Sequence, residues 1–208
     1  MVPPGGAIHR FILEAFAHTG RSPTLEDIQR QFALSSVEEA NLLVAALERR
    51  GSVHRNPGDR AITHAYPFSN EPTAHRVQLA GGPQVYAMCA IDALGMPFML
   101  KKDVEIYSTC ARCERAIYIQ IESEQLRGQS PEDMMVWFPV RKDKCVVATD
   151  LCPDLNFFCS LTHLQQWRAE HSEQHGHLLT LTQALERGRK IFESLLQGPT
   201  EKSCSDEY

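Results

Sequence analysis

The chain has 208 residues, 43% hydrophobic and 23% charged, enough for one large domain or two small ones around a real core. Its formal net charge of −5 offers no global attraction to nucleic acid or to an anionic membrane. No stretch reaches the length of a membrane-spanning helix, and the opening MVPPGGAIHRFILEAF lacks the basic start and apolar core of a signal peptide, so a cytoplasmic location is expected.

In chain order, Ile8, Phe11, Ile12, Ala15 and Phe16 recur at helical spacing up to a stop at His18-Thr19-Gly20. Ser22-Pro23-Thr24 opens a second helix, LEDIQRQF, with Leu25, Ile28 and Phe32 inward. Ser35 or Ser36 caps a third, VEEANLLVAALERRG, which Gly51 ends. Two short extended runs follow, around the turn Asn56-Pro57-Gly58-Asp59. Three helices and a hairpin over residues 1–66 form the order of a winged helix-turn-helix. A recognition helix presents Arg, Lys, Asn or Gln to the major groove, whereas this third helix carries Glu38, Glu39 and Glu48 against Arg49 and Arg50. A winged-helix-like unit used for packing or substrate cover is the preferred reading, and nucleic acid is not an expected partner.

Residues 67–84 read as a linker with a first strand, HRVQL. VYAM then leads into a helix of about one to three turns over CAIDALGMPFML, which Gly95 and Pro97 would weaken or end. DVEIYST, AIYIQIE and MMVWFPV read as strands, with a shorter extended run at NFFC. Two amphipathic helices close the pattern, SLTHLQQWRAEH and LTLTQALERGRKIFESLL, before a loose tail at 198–208. The expected fold is α+β: the winged-helix-like unit, then a mixed or antiparallel sheet core flanked by helices over 85–197.

Seven cysteines stand at 89, 110, 113, 145, 152, 159 and 204. An odd number cannot pair fully, and a reducing compartment disfavours a disulfide framework, so metal binding or thiol chemistry is expected. Cys89 and Asp92 at i and i+3 on one helix face would set a soft ligand beside a proton carrier. On spacing alone, however, C-x-x-D reads better as a buried thiol and a backbone-capping acid. Cys110 and Cys113 make C-x-x-C, half a zinc site or a redox pair. Its other half would come from Cys152, Cys159 or His163; two unlinked structural thiols remain open, and no βαβ pattern supports the redox form. Cys152 precedes Pro153, which holds it on extended or turning backbone. His163, His171, His175 and His177 are irregularly spaced at a polar helix end, a pattern of solvent more than of a metal site. Cys145 and Cys204 read as incidental. The chain has no phosphate loop, HExxH or nucleophile elbow, which argues against nucleotide-driven chemistry and the common hydrolases.

Taken together, VYAMCAIDALGMPF, the downstream YSTC, and LCPDLNFF followed by W-x3-H resemble the organomercurial (alkylmercury) lyase family. The resemblance spans residues 75–195. It implies an enzyme that cleaves carbon–mercury bonds by protonolysis, releasing a hydrocarbon and Hg(II) that passes to mercuric reductase. It places the catalytic set at Cys89, Asp92 and Cys152, with Cys89 and Cys152 as mercury ligands. No cofactor is implied; external thiol accepts the product. The chemistry suits these residue types. Two thiolates are the donors a soft metal prefers, and the leaving carbon needs a general acid. Apolar neighbours such as Tyr86, Met88, Ile91, Leu94, Met96 and Phe98 would exclude water and raise an aspartate pKa. The resemblance makes Cys110 the family's structural cysteine. Two departures stand out: Cys113 completes a C-x-x-C that the best-known members lack, and Pro153 follows Cys152 where some members carry cysteine. The alternative is a noncatalytic relative holding zinc through Cys110, Cys113, Cys152 and Cys159, and a metal-responsive winged-helix regulator is a third.

Overall fold

The computed structural model describes residues 5–140 and 152–196; Cys145, Cys204 and the expected tail lie outside the described residues. The starts of the second and third helices are set by hydroxyl caps. Helix α1 (Gly5–Thr19) buries Ile8, Ile12, Leu13 and Phe16. Thr24 forms a capping box with Asp27 to open α2 (Leu25–Phe32), and Ser36 accepts from the Glu39 N–H to open α3 (Val37–Arg49). Phe11 and Phe32 meet edge to face at 5.7 Å, locking α1 to the end of α2.

The hairpin β1 (Val53–Arg55) and β2 (Ile62–Ala65) continues through β3 (Phe68–Ser69) into a larger sheet with β4 (His75–Leu79), β5 (Gln84–Ala87), β6 (Val104–Thr109), β7 (Ala116–Glu122) and β8 (Gln125–Ser130). Among the described residues this sheet has eight strands, ordered β1-β2-β3-β5-β4-β6-β7-β8, every pairing antiparallel. A second sheet sets β9 (Met135–Pro139) between β10 (Phe157–Phe158) and β11 (Gly176–Thr180). The helices α4 (Ala90–Leu100), α5 (Leu161–Glu170) and α6 (Leu181–Phe192) complete the α+β architecture.

Alternation decides which face of the large sheet is buried. Val77, Leu79, Ile106, Ile117, Ile119 and Ile121 are all at most 2% exposed, each burial worth about 1.5–3 kcal/mol. Helix α4 packs against β4, β5 and β6 and is itself buried from Ala90 to Met99. It does not stop at Gly95 or Pro97 but runs on to Leu100, where Lys101 caps it in the left-handed region (φ 53°). Gly95 is there for contact rather than termination. A Cβ on it would overlap the Phe192 ring, and a Cβ on Gly188 of α6 would lie 3.0 Å from the Gly95 nitrogen. The two glycines let α4 and α6 cross backbone to backbone.

Strands β3 and β5 fall where the sequence reading has linker and the lead-in to a helix, and β8 and β11 depart from it further. Strand β8 carries almost no apolar alternation. Its hairpin turn, Ser123-Glu124, has positive φ at both residues (50° and 61°), the mirror-image turn usually marked by Asn-Gly. Strand β11 (Gly176–Thr180) takes Leu179 and Thr180, which the periodicity assigned to the last helix. That helix begins two residues later, behind a Thr180–Gln183 capping box.

Two histidines are buried in this core. Burial lowers both His9 and His75 from 6.5 to about 4, His75 despite a hydrogen bond to Asn156 that pulls the other way. Each is neutral when folded, so between these values the unfolded chain binds more protons and stability falls as pH drops from about 6.5 to about 4. The loss is up to about 1.4 kcal/mol per pH unit for each ring. The melting temperature is expected to decline across that window; a flat profile by calorimetry would contradict the burial of both rings in neutral form.

Candidate active site

Cys89 is the N-cap of α4, on extended backbone (φ −151°, ψ 177°), and its Sγ accepts from the Asp92 N–H at 3.4 Å. The thiol therefore stands just before the helix, at its positive end, while Asp92 sits in the first turn. This end favours a thiolate, but burial dominates. It pushes the Cys89 thiol up, reinforced by the Asp92 charge and opposed by a hydrogen bond with Cys152. At rest the thiol keeps its proton.

Cys152 lies in a single 3-10 turn, Cys152–Asp154, the kind of backbone that Pro153 imposes. Its Sγ donates to Asp92 Oδ2 at 3.7 Å. The ligand atoms of Cys89, Asp92 and Cys152 all lie within 4.8 Å of one another, and all three side chains are buried, Asp92 completely. The Cys152 segment is held in place by its own backbone: the Ala90 N–H donates to Leu155 O at 2.9 Å and the Trp137 N–H to Asn156 O at 3.1 Å. The first of these bonds ties the start of α4 directly to the turn bearing Cys152. A buried carboxyl within 4.8 Å of two thiols can pass protons between sulfur and a bound group, and the paired thiols can grip a soft metal.

The other cysteines among the described residues group elsewhere. Cys110, Cys113, Cys159 and His163 form a second cluster whose ligand atoms also lie within 4.8 Å of one another. Cys152 is not part of it; His163 completes the set. His163 therefore separates from His171, His175 and His177, with which its position in sequence grouped it. The signal was its spacing from Cys159, one helical turn, at the start of a helix that Ser160 caps.

An α+β chain with buried thiols around a carboxyl belongs, by fold and site, with enzymes of thiophilic-metal chemistry. More specifically, it belongs to the alkylmercury lyase family, whose model (MerB: Alkylmercury lyase) matches residues 68–193. It is 28% identical over 181 residues to the alkylmercury lyase of Staphylococcus epidermidis, covering 86% of this chain and 80% of the relative. The alkylmercury lyase of Bacillus cereus is 27% identical over 188 residues, 90% of this chain and 82% of the relative. Among solved structures, the mercury-bound form of MerB2 is similar at a TM-score of 0.80 and 26% identity, with 93% of this chain and 91% of that chain covered. The family and the α+β fold are those expected from the residues. No helix among the described residues is long and apolar enough to cross a membrane.

Proposed function

We propose that this chain cleaves the carbon–mercury bond of organomercurials by protonolysis, with Cys89 and Cys152 as mercury ligands and Asp92 as proton carrier. The observation that carries the proposal is the gathering of both buried thiols around one buried carboxyl: Cys152 Sγ lies 3.7 Å from Asp92 Oδ2, and the ligand atoms of Cys89, Asp92 and Cys152 all lie within 4.8 Å of one another.

The steps balance. The mercury of R–Hg–X forms a bond to one cysteine sulfur, and X leaves with the thiol proton as HX. The second thiol binds the same mercury and yields its proton to the carboxylate. Two sulfur donors push electron density onto the metal and weaken the bond opposite. The carbon–mercury electron pair then takes the proton from Asp92, giving R–H and Hg(II) on two thiolates, with Asp92 again a carboxylate. The raised Cys89 thiol suits this order, because the proton needed for carbon is still on sulfur when substrate arrives. External thiol would remove Hg(II) and return protons to the cysteines, with no further cofactor. The reducing cytoplasm is the compartment this chemistry requires, and mercuric reductase is the natural acceptor of the product.

The separation of Cys152 from the Cys110 cluster counts against the noncatalytic zinc-binding alternative, which needs Cys152 as a zinc ligand. The acidic start of α3, Glu38 and Glu39, counts against the DNA-binding regulator. Benzene measured from phenylmercury with excess thiol is the direct test. Stoichiometric benzene from catalytic amounts of protein is expected, and no hydrocarbon from the reduced wild type would overturn the proposal.

A further inference from the structure

We propose that Cys110, Cys113, Cys159 and His163 form a closed, tetrahedral zinc site, separate from the Cys89–Asp92–Cys152 group. A tetrahedral ion with Zn–S near 2.3 Å and Zn–N near 2.0–2.1 Å sets S···S at about 3.8 Å and S···N at about 3.6 Å. The side chains already stand at that spacing. Cys113 Sγ and Cys159 Sγ are 3.7 Å apart, and His163 Nδ1 lies 3.2 Å from Cys159 Sγ and 3.8 Å from Cys110 Sγ. Three thiolates and one imidazole are a donor set of structural zinc, with no position left for water.

The local fold builds this arrangement from two elements. Cys110 and Cys113 lie on the tight turn between β6 and β7, closed by the Cys110 N–H donating to Arg115 O (2.9 Å) and the Glu114 N–H to Cys110 O (2.8 Å). Cys159 follows β10, Ser160 caps α5, and His163 enters from the first turn of that helix on the same face as Cys159. The Ala111 N–H donates to Phe157 O at 3.0 Å, so the two halves are joined even beside the site.

The position gives the ion a task. Cys159 closes the short segment that begins at Cys152, and β10 lies between them. Zinc would pin that segment to the β6–β7 turn and hold Cys152 at a fixed distance from α4. It acts on the positioning of Cys152 and takes no part in bond cleavage.

The test uses the full chain purified without chelator. Elemental analysis is expected to find about one zinc per chain. The Cys89→Ser/Cys152→Ser double variant should keep it, whereas Cys113→Ala and His163→Ala should each lose at least tenfold. Cys113 is exposed, so its removal empties no core volume. Cobalt(II) added to metal-free wild type should give the intense visible bands of tetrahedral thiolate coordination, bleached by one equivalent of zinc. Zinc that leaves with Cys89 and Cys152, or a wild type that takes up neither zinc nor tetrahedral cobalt, would overturn the site. Benzene release is scored separately: zinc bound without cleavage refutes the lyase proposal alone, and cleavage without zinc refutes this one alone.

Discussion

Asp92→Asn is expected to reduce benzene release from phenylmercury by 10²–10⁴-fold, the range of a general acid–base contribution, while the protein still takes up mercury. The substitution keeps the side-chain shape in a fully buried position and leaves the backbone N–H that meets Cys89 Sγ. What it removes is the group that can accept a proton from sulfur and deliver it to carbon. Single-turnover assays should therefore show substrate bound and hydrocarbon missing. Cys89→Ser and Cys152→Ser should abolish turnover as well, but with weakened uptake of phenylmercury, because each removes a soft donor. An Asp92→Asn protein within a few-fold of wild type would mean that the proton comes from another group.

The second large effect concerns stability. Gly95→Ala should destabilise the chain by about 3 kcal/mol or more, at the upper end of overpacking penalties, and lower the melting temperature by about 10 °C for a chain of this size. The added methyl would overlap the Phe192 ring, and that ring is itself fully buried. Gly188→Ala should be costly for a different reason, since its new Cβ meets the backbone of Leu94 and Gly95 rather than a side chain. Pairing Gly95→Ala with Phe192→Leu should recover part of the loss. Full stability in Gly95→Ala alone would show that α4 and α6 are not in this contact.

The parts of the fold that were legible in the sequence are those decided within one turn or one strand. Thr24 with Asp27, Ser36 with Glu39, and the alternation of Val104, Ile106, Ile117 and Ile119 act over a few residues, so their pattern is their structure. Gly95 and Pro97 were misleading because the force that keeps them helical comes from elsewhere: Phe192 and Gly188 on α6, and burial on the sheet. Strand β8 was illegible because pairing with β7, not its own apolar pattern, makes it a strand. The site divides in the same way. The nearness of Cys89 and Asp92 is local, although through a cap rather than along one helix face. The approach of Cys152 depends on the Ala90–Leu155 bond, which no spacing announces, and only the family resemblance connected the two. His163, one turn from Cys159, was legible as a candidate partner of the C-x-x-C; what spacing could not decide was that it, and not Cys152, joins Cys110, Cys113 and Cys159.

The cap of α4 has a consequence for how this chain can vary. Four other helices begin behind a hydroxyl, Thr24, Ser36, Ser160 or Thr180; α4 begins behind a sulfur, at 3.4 Å from the N–H it receives. Hydroxyl caps are preferred because they accept a shorter, stronger bond, with cap substitutions worth about 0.5–2 kcal/mol. Serine at position 89 would thus make a sturdier helix start and, on the mechanism above, an inert protein. Drift towards thermal robustness and selection for mercury chemistry pull in opposite directions at this one atom, and a descendant freed from mercury exposure would be expected to lose Cys89 to serine early, with its fold intact.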